Sequence, residues 1–529
     1  MSDRSATEAP AAPISHASEA PDLTGRSHMA WNVIVSWAGQ FVFIVAGFIM
    51  PRMIDRKLGQ ETLGIWDFSW SMVAYFGLIQ MGVGSSVGRY VAKYRARGEI
   101  DQVSGIVSSV MFLQSGMALA ILLLTGLLAY LLPVFWGQRL GRGIGDAQIV
   151  LLTLGASLAI QIALAAFTGV ITGCHRWDIH NYIKAGWHAA TVVAMIVVLQ
   201  LGLGIRSLAV ASLVGLGLAD LNRVLYAFIL CPGMRVGPRF VRVCMIRDAF
   251  RFGVKTLGPR VGDLLLNQTS SILIASFLGP AALALYSRPR SLAQQTHMLV
   301  SKLAMVVIPT ASAMHSANQR EELRELLVNA TRYAACISLP LTAGLVIMGR
   351  PLMLLWMGPD YANGTLVAIV ALGNLAMFTL MPAMSLLTGL NAHGRPGMVH
   401  LAAAVCSVGL VFLVLGPLKL GLEGVAVAVG LPLTVAYGWY VLAHTCHHVR
   451  IRWTTFLYRA FGTPVLCVLP MAACLVAFRV VMPAQPLHPL WLGSVTGGIL
   501  LAVAYWRYIL PDRIKARTLR MFGMRGTAA

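Results

Sequence analysis

Fourteen apolar stretches, each long enough to cross a bilayer, cover almost the whole chain from Met29 to Tyr508. A crossing takes about 20 mostly apolar residues at 1.5 Å rise per residue. The stretches fall at roughly 30–50, 62–83, 105–132, 147–172, 180–202, 207–231, 253–278, 282–309, 330–349, 366–390, 397–416, 422–444, 462–482 and 488–508. Inside hydrocarbon every backbone N–H and C=O must be satisfied within its own segment, so runs of this length predict helices. The expected fold is an all-α polytopic membrane protein. Composition agrees: the chain is 57% hydrophobic with mean hydropathy +0.73, and only 12% of it is charged, where a soluble domain carries about 25%.

A net charge of +21 would point a soluble protein toward nucleic acid. Here the placement of the charges excludes that reading and encodes orientation instead. With fourteen crossings both termini share one side. The loops and tails on that side hold 27 Lys and Arg, and the opposite side holds nine: Arg52, Arg56, Lys57, Arg139, Arg142, Arg206, Arg350, Lys419 and Arg479. Lys and Arg concentrate on the cytoplasmic side of short loops. Both termini are therefore expected in the cytoplasm, with attraction to anionic headgroups as a lesser consequence of the basic balance.

Residues 1–28 are rich in Ala, Pro, Ser and acids and lack a basic start followed by an apolar run, which predicts a disordered tail rather than a signal peptide. The eight cysteines form no CxxC pair and read as small buried apolar residues. His444, His447 and His448 cluster at a span end, where polar aromatic residues anchor a helix more often than they bind metal. No cofactor or metal motif is present.

The chain repeats itself. LGQETLGIW at 58–66 and LGPAALALY at 278–286 share Leu, Gly and an aromatic at the same spacing; ARGEID and the NQREEL stretch fall at matching offsets, and ITGCHRWD resembles LTGLNAHG. These matches predict a six-helix unit at 29–231 and a second at 253–445, joined by a linker at 232–252. Two additional helices would follow at 446–508, with a basic tail at 509–529. Six crossings return the chain to its starting side, so the halves would be related by an axis along the membrane normal, and two facing bundles would enclose a cavity. Asn318 and Glu321 form a capping pair ahead of Leu323, Leu326 and Leu327, predicting a surface helix.

Ionisable residues within the membrane are functional candidates because each costs about 2.5–3.5 kcal/mol at mid-bilayer. In the seventh span Arg260, Asp263, Asn267 and Ser271 share one helical face. In the eighth, Arg288, Ser291, Gln295 and Lys302 form one stripe, and Arg290, Gln294, His297 and Ser301 form another. One stripe would line the cavity while the other pairs with a neighbouring helix. Asn32, Gln40, Arg52 and Asp67 are candidates in the first half, as is Arg223 beside Asp220. The bland alternatives are that Arg260, Arg288 and Arg290 snorkel to headgroups, and that Arg260 with Asp263 and Asp220 with Arg223 are structural pairs. Basic residues outnumber acids in this set, so an anionic cargo is expected.

The segment LGQETLGIWDFSWSMVAYFGLIQMGVGSSVGRYVAKYRARGE and its counterpart LGPAALALYSRPRSLAQ, with IPTASAM at the end of the same span, resemble the bacterial polysaccharide transporter family of Wzx-like flippases. That family belongs to the superfamily that also holds drug antiporters and the peptidoglycan-precursor flippase. The resemblance runs along roughly residues 29–480. It implies a V-shaped pair of bundles that moves an undecaprenyl-diphosphate-linked oligosaccharide across the bacterial inner membrane by alternating access, with membrane lipids and a possible coupling ion as partners. Two departures stand out: Ala284 replaces the usual Gly, and Arg288 and Arg290 flank Pro289 where the family is more often apolar.

Two rival functions are an ion-coupled small-molecule antiporter on the same architecture and a membrane enzyme. The enzyme reading is disfavoured because the longest outer loops, 133–146 and 350–365, are short and mostly Gly, Pro and apolar.

Overall fold

The computed structural model describes residues 26–80, 83–247, 257–482, 487–510, 512 and 515. Residues 1–25 of the expected tail, the end of the 232–252 linker and most of the 509–529 tail lie outside the described residues, and residues 26–28 begin the first helix. The first half consists of α1 (Arg26–Leu58), α2 (Gln60–Phe76), α3 (Val83–Arg95), α4 (Ile100–Leu140), α5 (Ile144–Ala163), α6 (Ala165–Gly173), α7 (Trp177–Gln200) and α8 (Gly204–Leu230). The second consists of α9 (Leu257–Leu264), α10 (Ser270–Leu278), α11 (Pro280–Ser316), α12 (Arg320–Trp356), α13 (Gly364–Thr379), α14 (Met381–Gly389), α15 (Gly394–Leu415), α16 (Gly421–Val435) and α17 (Leu442–Val449). Then come α18 (Trp453–Val481) and α19 (Leu487–Tyr508). No strand occurs among the described residues. Ten helical segments among them are long and apolar enough to cross a membrane, and one of these, 100–163, contains two of the expected crossings joined through a tight turn at Gly141–Gly143.

The repeat is written in the backbone. Every described residue with positive φ has a partner 216 to 220 positions away: Gly59 and Gly279, Gly98 and Asn318, Gly141 and Gly358, His175 and Asn391, Gly202 and Lys419, Gly204 and Gly421, Gly233 and Arg450. Gly59 (φ 88°, ψ 164°) and Gly279 (φ 89°, ψ 171°) are superimposable helix starts in a region that L side chains avoid. The sequence motifs revealed three of these seven pairs. Of the other four, Gly141/Gly358 and Gly204/Gly421 keep Gly without a shared motif around it, while Gly202/Lys419 and Gly233/Arg450 differ because the turn asks only for a residue that tolerates the left-handed region.

Packing is asymmetric along the long axis. At the end carrying the Gly59 and Gly279 turns the halves share cores: Met50, Ile54, Leu63 and Leu208 of the first half pack with Ala284, Met353, Trp356 and Tyr361 of the second. At the opposite, basic-loop end, the cores are separate. Val87, Val103, Ile106 and Val170 belong to a cluster with no residue of the second half, and Leu266, Val307, Leu327 and Leu386 to one drawn from the second half and α18. The bundles therefore meet at one end and part toward the other.

The closed end is clasped by polar bonds as well. The Arg52 guanidinium donates to the carbonyls of Leu355 and Trp356. Trp356 Nε1 donates to the Phe48 carbonyl at 2.7 Å, and the Tyr361 hydroxyl donates to Asp55 Oδ1 at 2.6 Å. Burial, with Asp55 as the acceptor, pushes the Tyr361 hydroxyl well above the usual tyrosine range, so it stays a donor. Between these contacts α2 crosses α11 at Gly64, where an added Cβ would lie 1.8 Å from the Pro280 carbonyl oxygen.

Candidate functional site

A cavity of about 540 Å³ sits between the halves, walled by α2, by the segment from α9 to α10, and by α11. Its lining includes Asp67, Trp70 and Ser71 from the first half, and Asp263, Asn267, Gln268, Ser271, Ser287, Arg288, Arg290, Ser291, Gln294 and Gln295 from the second. Six of the twelve residues singled out from sequence thus meet at one place: Asp67, Asp263, Asn267, Arg288, Arg290 and Gln295.

Local sequence explains how the second half supplies so many polar groups. Leu265–Thr269 forms a π-helical turn between α9 and α10, a widening that frequently marks functional sites. The Asn267 carbonyl there accepts from Arg290 Nη1 at 2.5 Å and from Ser271 Oγ at 3.1 Å, while Asn267 Nδ2 donates to the Asp263 carbonyl at 2.8 Å. Arg290 Nη1 also reaches Ser271 Oγ at 2.8 Å, and Nη2 reaches Asn267 Oδ1 at 3.2 Å. All of its hydrogen-bond partners are neutral, and Asp67 lies near enough to act on it electrostatically without forming an ion pair.

Arg288 differs. Its guanidinium pairs with Asp67 of the other half, with side-chain exposures of 6% and 17%. Such a pair is strongly destabilised when one partner is removed, because the other charge is left buried and alone.

Several expectations need correction. Arg288, Ser291 and Gln295 line the cavity together with Arg290 and Gln294, so the two stripes of the eighth span do not divide into one cavity face and one packing face. The reason is reach: α11 runs between α2 and α10, and its two arginines extend to opposite flanks of the same space. Asp263 pairs with His400 at 3.2 Å, and the His400 ring in turn meets the Tyr437 hydroxyl at 3.3 Å; the side chains of Arg260 and Asn32 lie outside the described residues. The lining described is also not net cationic, since Arg288 and Arg290 are matched in number by Asp67 and Asp263.

Four candidates fall elsewhere. Arg52 belongs to the closed-end clasp. Gln40 contacts the Met298 sulfur at 3.7 Å across the halves. Arg223 pairs with Asp220, as one structural alternative anticipated. Lys302 is exposed and does not line the cavity, although it and Arg223 lie close enough to act electrostatically on Lys184. Sequence reasoning missed Gln268 and Ser287 of the lining and His400, the partner of Asp263. A lone His in the apolar run HLAAAVC was the available signal for His400.

A family model described as "Polysaccharide biosynthesis protein" matches residues 99–364, half of the chain. The chain belongs to the polysaccharide biosynthesis protein family. Relatives in curated proteins include the uncharacterized membrane protein EpsK of Bacillus subtilis, 20% identical over 88% of this chain and 92% of its own length. Another is the succinoglycan biosynthesis transport protein ExoT of Rhizobium meliloti, 24% identical over 83% and 81%. Among solved structures, the lipid II flippase MurJ in an inward closed conformation aligns with TM-score 0.65 at 13% identity, covering 92% of this chain and all of its own. An inward-facing multidrug resistance MATE transporter aligns with TM-score 0.64 at 15% identity, covering 80% and 98%. The chain thus has the fold of those transporter and flippase structures, and it is a multi-pass membrane protein.

Proposed function

We propose that the chain flips an undecaprenyl-diphosphate-linked oligosaccharide from the cytoplasmic to the periplasmic leaflet of a bacterial inner membrane, by alternating access, for polysaccharide export. In this reading the chain crosses fourteen times with both termini cytoplasmic. The halves 29–231 and 253–445 rock about the 232–252 linker, and the helices of 446–508 flank them. The observation that carries the proposal is the inter-halves cavity, whose wall sets Ser, Asn and Gln side chains beside the Arg288–Asp67 pair, Asp263 and Arg290, the last hydrogen-bonded only to neutral groups. The neutral amides and hydroxyls suit sugar hydroxyls, and half-exposed Trp70 offers a face for a sugar ring. Arg290 suits a diphosphate, to which a guanidinium presents paired donors. Separate cores at the basic-loop end agree with a cavity reached from the cytoplasm, and an inside-negative potential favours outward movement of negative charge by about 2.3 kcal/mol per charge per 100 mV.

The test is transport by Arg290→Ala in reconstituted vesicles carrying the lipid-linked glycan. Loss of a charge-assisted hydrogen bond costs about 1.5–3 kcal/mol, so flipping should fall roughly ten- to hundredfold at limiting carrier. Arg290→Lys should retain part of it, since the charge survives without the planar fork. Flipping unchanged in Arg290→Ala refutes the assignment.

The second reading is an ion-coupled small-molecule antiporter, favoured by one observation: the Asp263 carboxylate is 55% exposed and hydrogen-bonded to His400, a titratable pair at the cavity edge. Uptake of organic cations that depends on Asp263 and not on Arg290 would select that reading.

A further inference from the structure

A second cavity, of about 650 Å³, opens at the basic-loop end of the second half, remote from the site between the halves. Three arginines and three histidines line it: Arg320 at the start of α12, Arg395 at the start of α15, Arg450 after α17, with His315, His444 and His448. No carboxylate is among the lining residues. Among the described residues none of the three arginines makes an ion pair; of the acids on the first turns of α12, Glu321 pairs with Arg324 at 2.7 Å and Glu325 with Arg459 at 3.8 Å, and Glu322 is exposed and makes none. Two helix N-termini (α12 and α15) and three C-termini (α11, α14 and α17) meet here, so the helix dipoles add no net positive field and the basic side chains supply it. Arg450 is held in place by its backbone: it adopts φ 56°, and Arg324 donates to its carbonyl at 3.1 Å and to that of Val449 at 3.0 Å.

The repeat supplies an internal control. At the same register the first half has Ile100 for Arg320, Ile179 for Arg395, Gly233 for Arg450, Ala227 for His444 and Cys231 for His448, while His315 has a basic counterpart, Arg95. Ala227 and Cys231 are buried in an apolar core there, and the chain after α8 covers that end by donating from the Arg235, Gly237 and Arg242 amides to Ser104, Ser108 and Ser109. The fold therefore needs none of the three arginines, nor His444 and His448, at this place. The second half has replaced a packed end with an uncovered basic bowl.

We propose that this bowl binds a phosphate-bearing ligand, and that its source is the headgroup of an anionic membrane lipid. Arginine forks and imidazoles are donors matched to phosphate oxygens, and the volume lies within the usual range for a small-molecule site. Membrane depth selects the lipid. Trp439, Trp453 and Tyr458, exposed by 74%, 61% and 82%, stand on the segments that flank Arg450, and aromatic side chains of this kind mark the headgroup level. Tyr440 and His444 stack at 5.6 Å, and His444 meets His448 edge to face at 4.5 Å, continuing the aromatic row from that level into the bowl.

The experiment uses the full chain purified in detergent and probed by native mass spectrometry with phosphatidylglycerol, phosphatidylcholine and inorganic pyrophosphate. Wild type should retain phosphatidylglycerol over phosphatidylcholine. The triple variant Arg320→Gln, Arg395→Gln, Arg450→Gln should lose that retention at least tenfold. A control removing three charges from the same end of the first half, Arg89→Gln, Lys93→Gln, Arg239→Gln, should keep it. Equal retention by the triple variant and wild type overturns the proposal. Pyrophosphate bound in the bowl without selective phosphatidylglycerol retention upholds the phosphate chemistry and overturns the lipid source. If the triple variant fails to fold, wild type decides alone: phosphatidylglycerol and not phosphatidylcholine should protect His444 and His448 from diethyl pyrocarbonate, and absence of protection overturns the site.

Discussion

Gly64→Ala should open the closed end of the protein. A Cβ at position 64 would stand 1.8 Å from the Pro280 carbonyl oxygen, 2.3 Å from its carbonyl carbon and 2.9 Å from its Cα. All three are backbone atoms, so no side chain can rotate away, and α2 must retreat from α11 by more than 1 Å to reach 3.0 Å. Inserting a methyl into such a contact costs about 1–3 kcal/mol. The cost falls only on the state in which the closed-end contact exists, so the equilibrium shifts roughly 5- to 150-fold toward states with that end apart. The repeat sharpens the argument: Ala284 occupies the register of Gly64 in the second half and is fully buried without conflict, so the requirement for Gly comes from the crossing and not from the motif. The assay is pulsed electron spin distance measurement between labels at Glu61 and Asp360, one on each half at that end and both exposed, in a cysteine-free background. Gly64→Ala should populate a longer distance that wild type lacks, and Gly116→Ala, whose Cβ meets nothing within 4 Å, should not. An unchanged distance distribution with normal abundance would show that the halves do not part at this crossing.

Two further outcomes follow from the same contacts. Removing either partner of the buried Arg288–Asp67 pair should cost about 3–5 kcal/mol and lower membrane abundance, while the double change Arg288→Ala with Asp67→Ala should restore abundance toward wild type; fluorescence-detected size exclusion reads this, and a double variant no better than the singles refutes a mutual pair. Reporter fusions after Arg97 should read cytoplasmic and those at Gly59 and Asp360 periplasmic, and an inversion would break the orientation drawn from the basic loops.

Much of this fold is legible one residue at a time. Apolar runs fix where helices lie because hydrocarbon forbids any other backbone arrangement, and Gly59 and Gly279 betray the repeat because a left-handed helix start tolerates little else. Polar residues spaced from α9 through α10 and along α11 announce a site because polar groups are costly in lipid. What lies opposite them is a different matter. The partner of Arg288 is 221 residues away in the other half, and that of Asp263 is His400, 137 residues on. Helical periodicity ranks the faces of one helix and carries no information about which helix it meets, so the sequence made Arg288 a cargo cation where packing makes it half of a buried pair. The same holds for the basic bowl. Its arginines and histidines come from four helix ends scattered between His315 and Arg450, each ordinary where it stands, and only the closing of the second bundle brings their charges onto one surface.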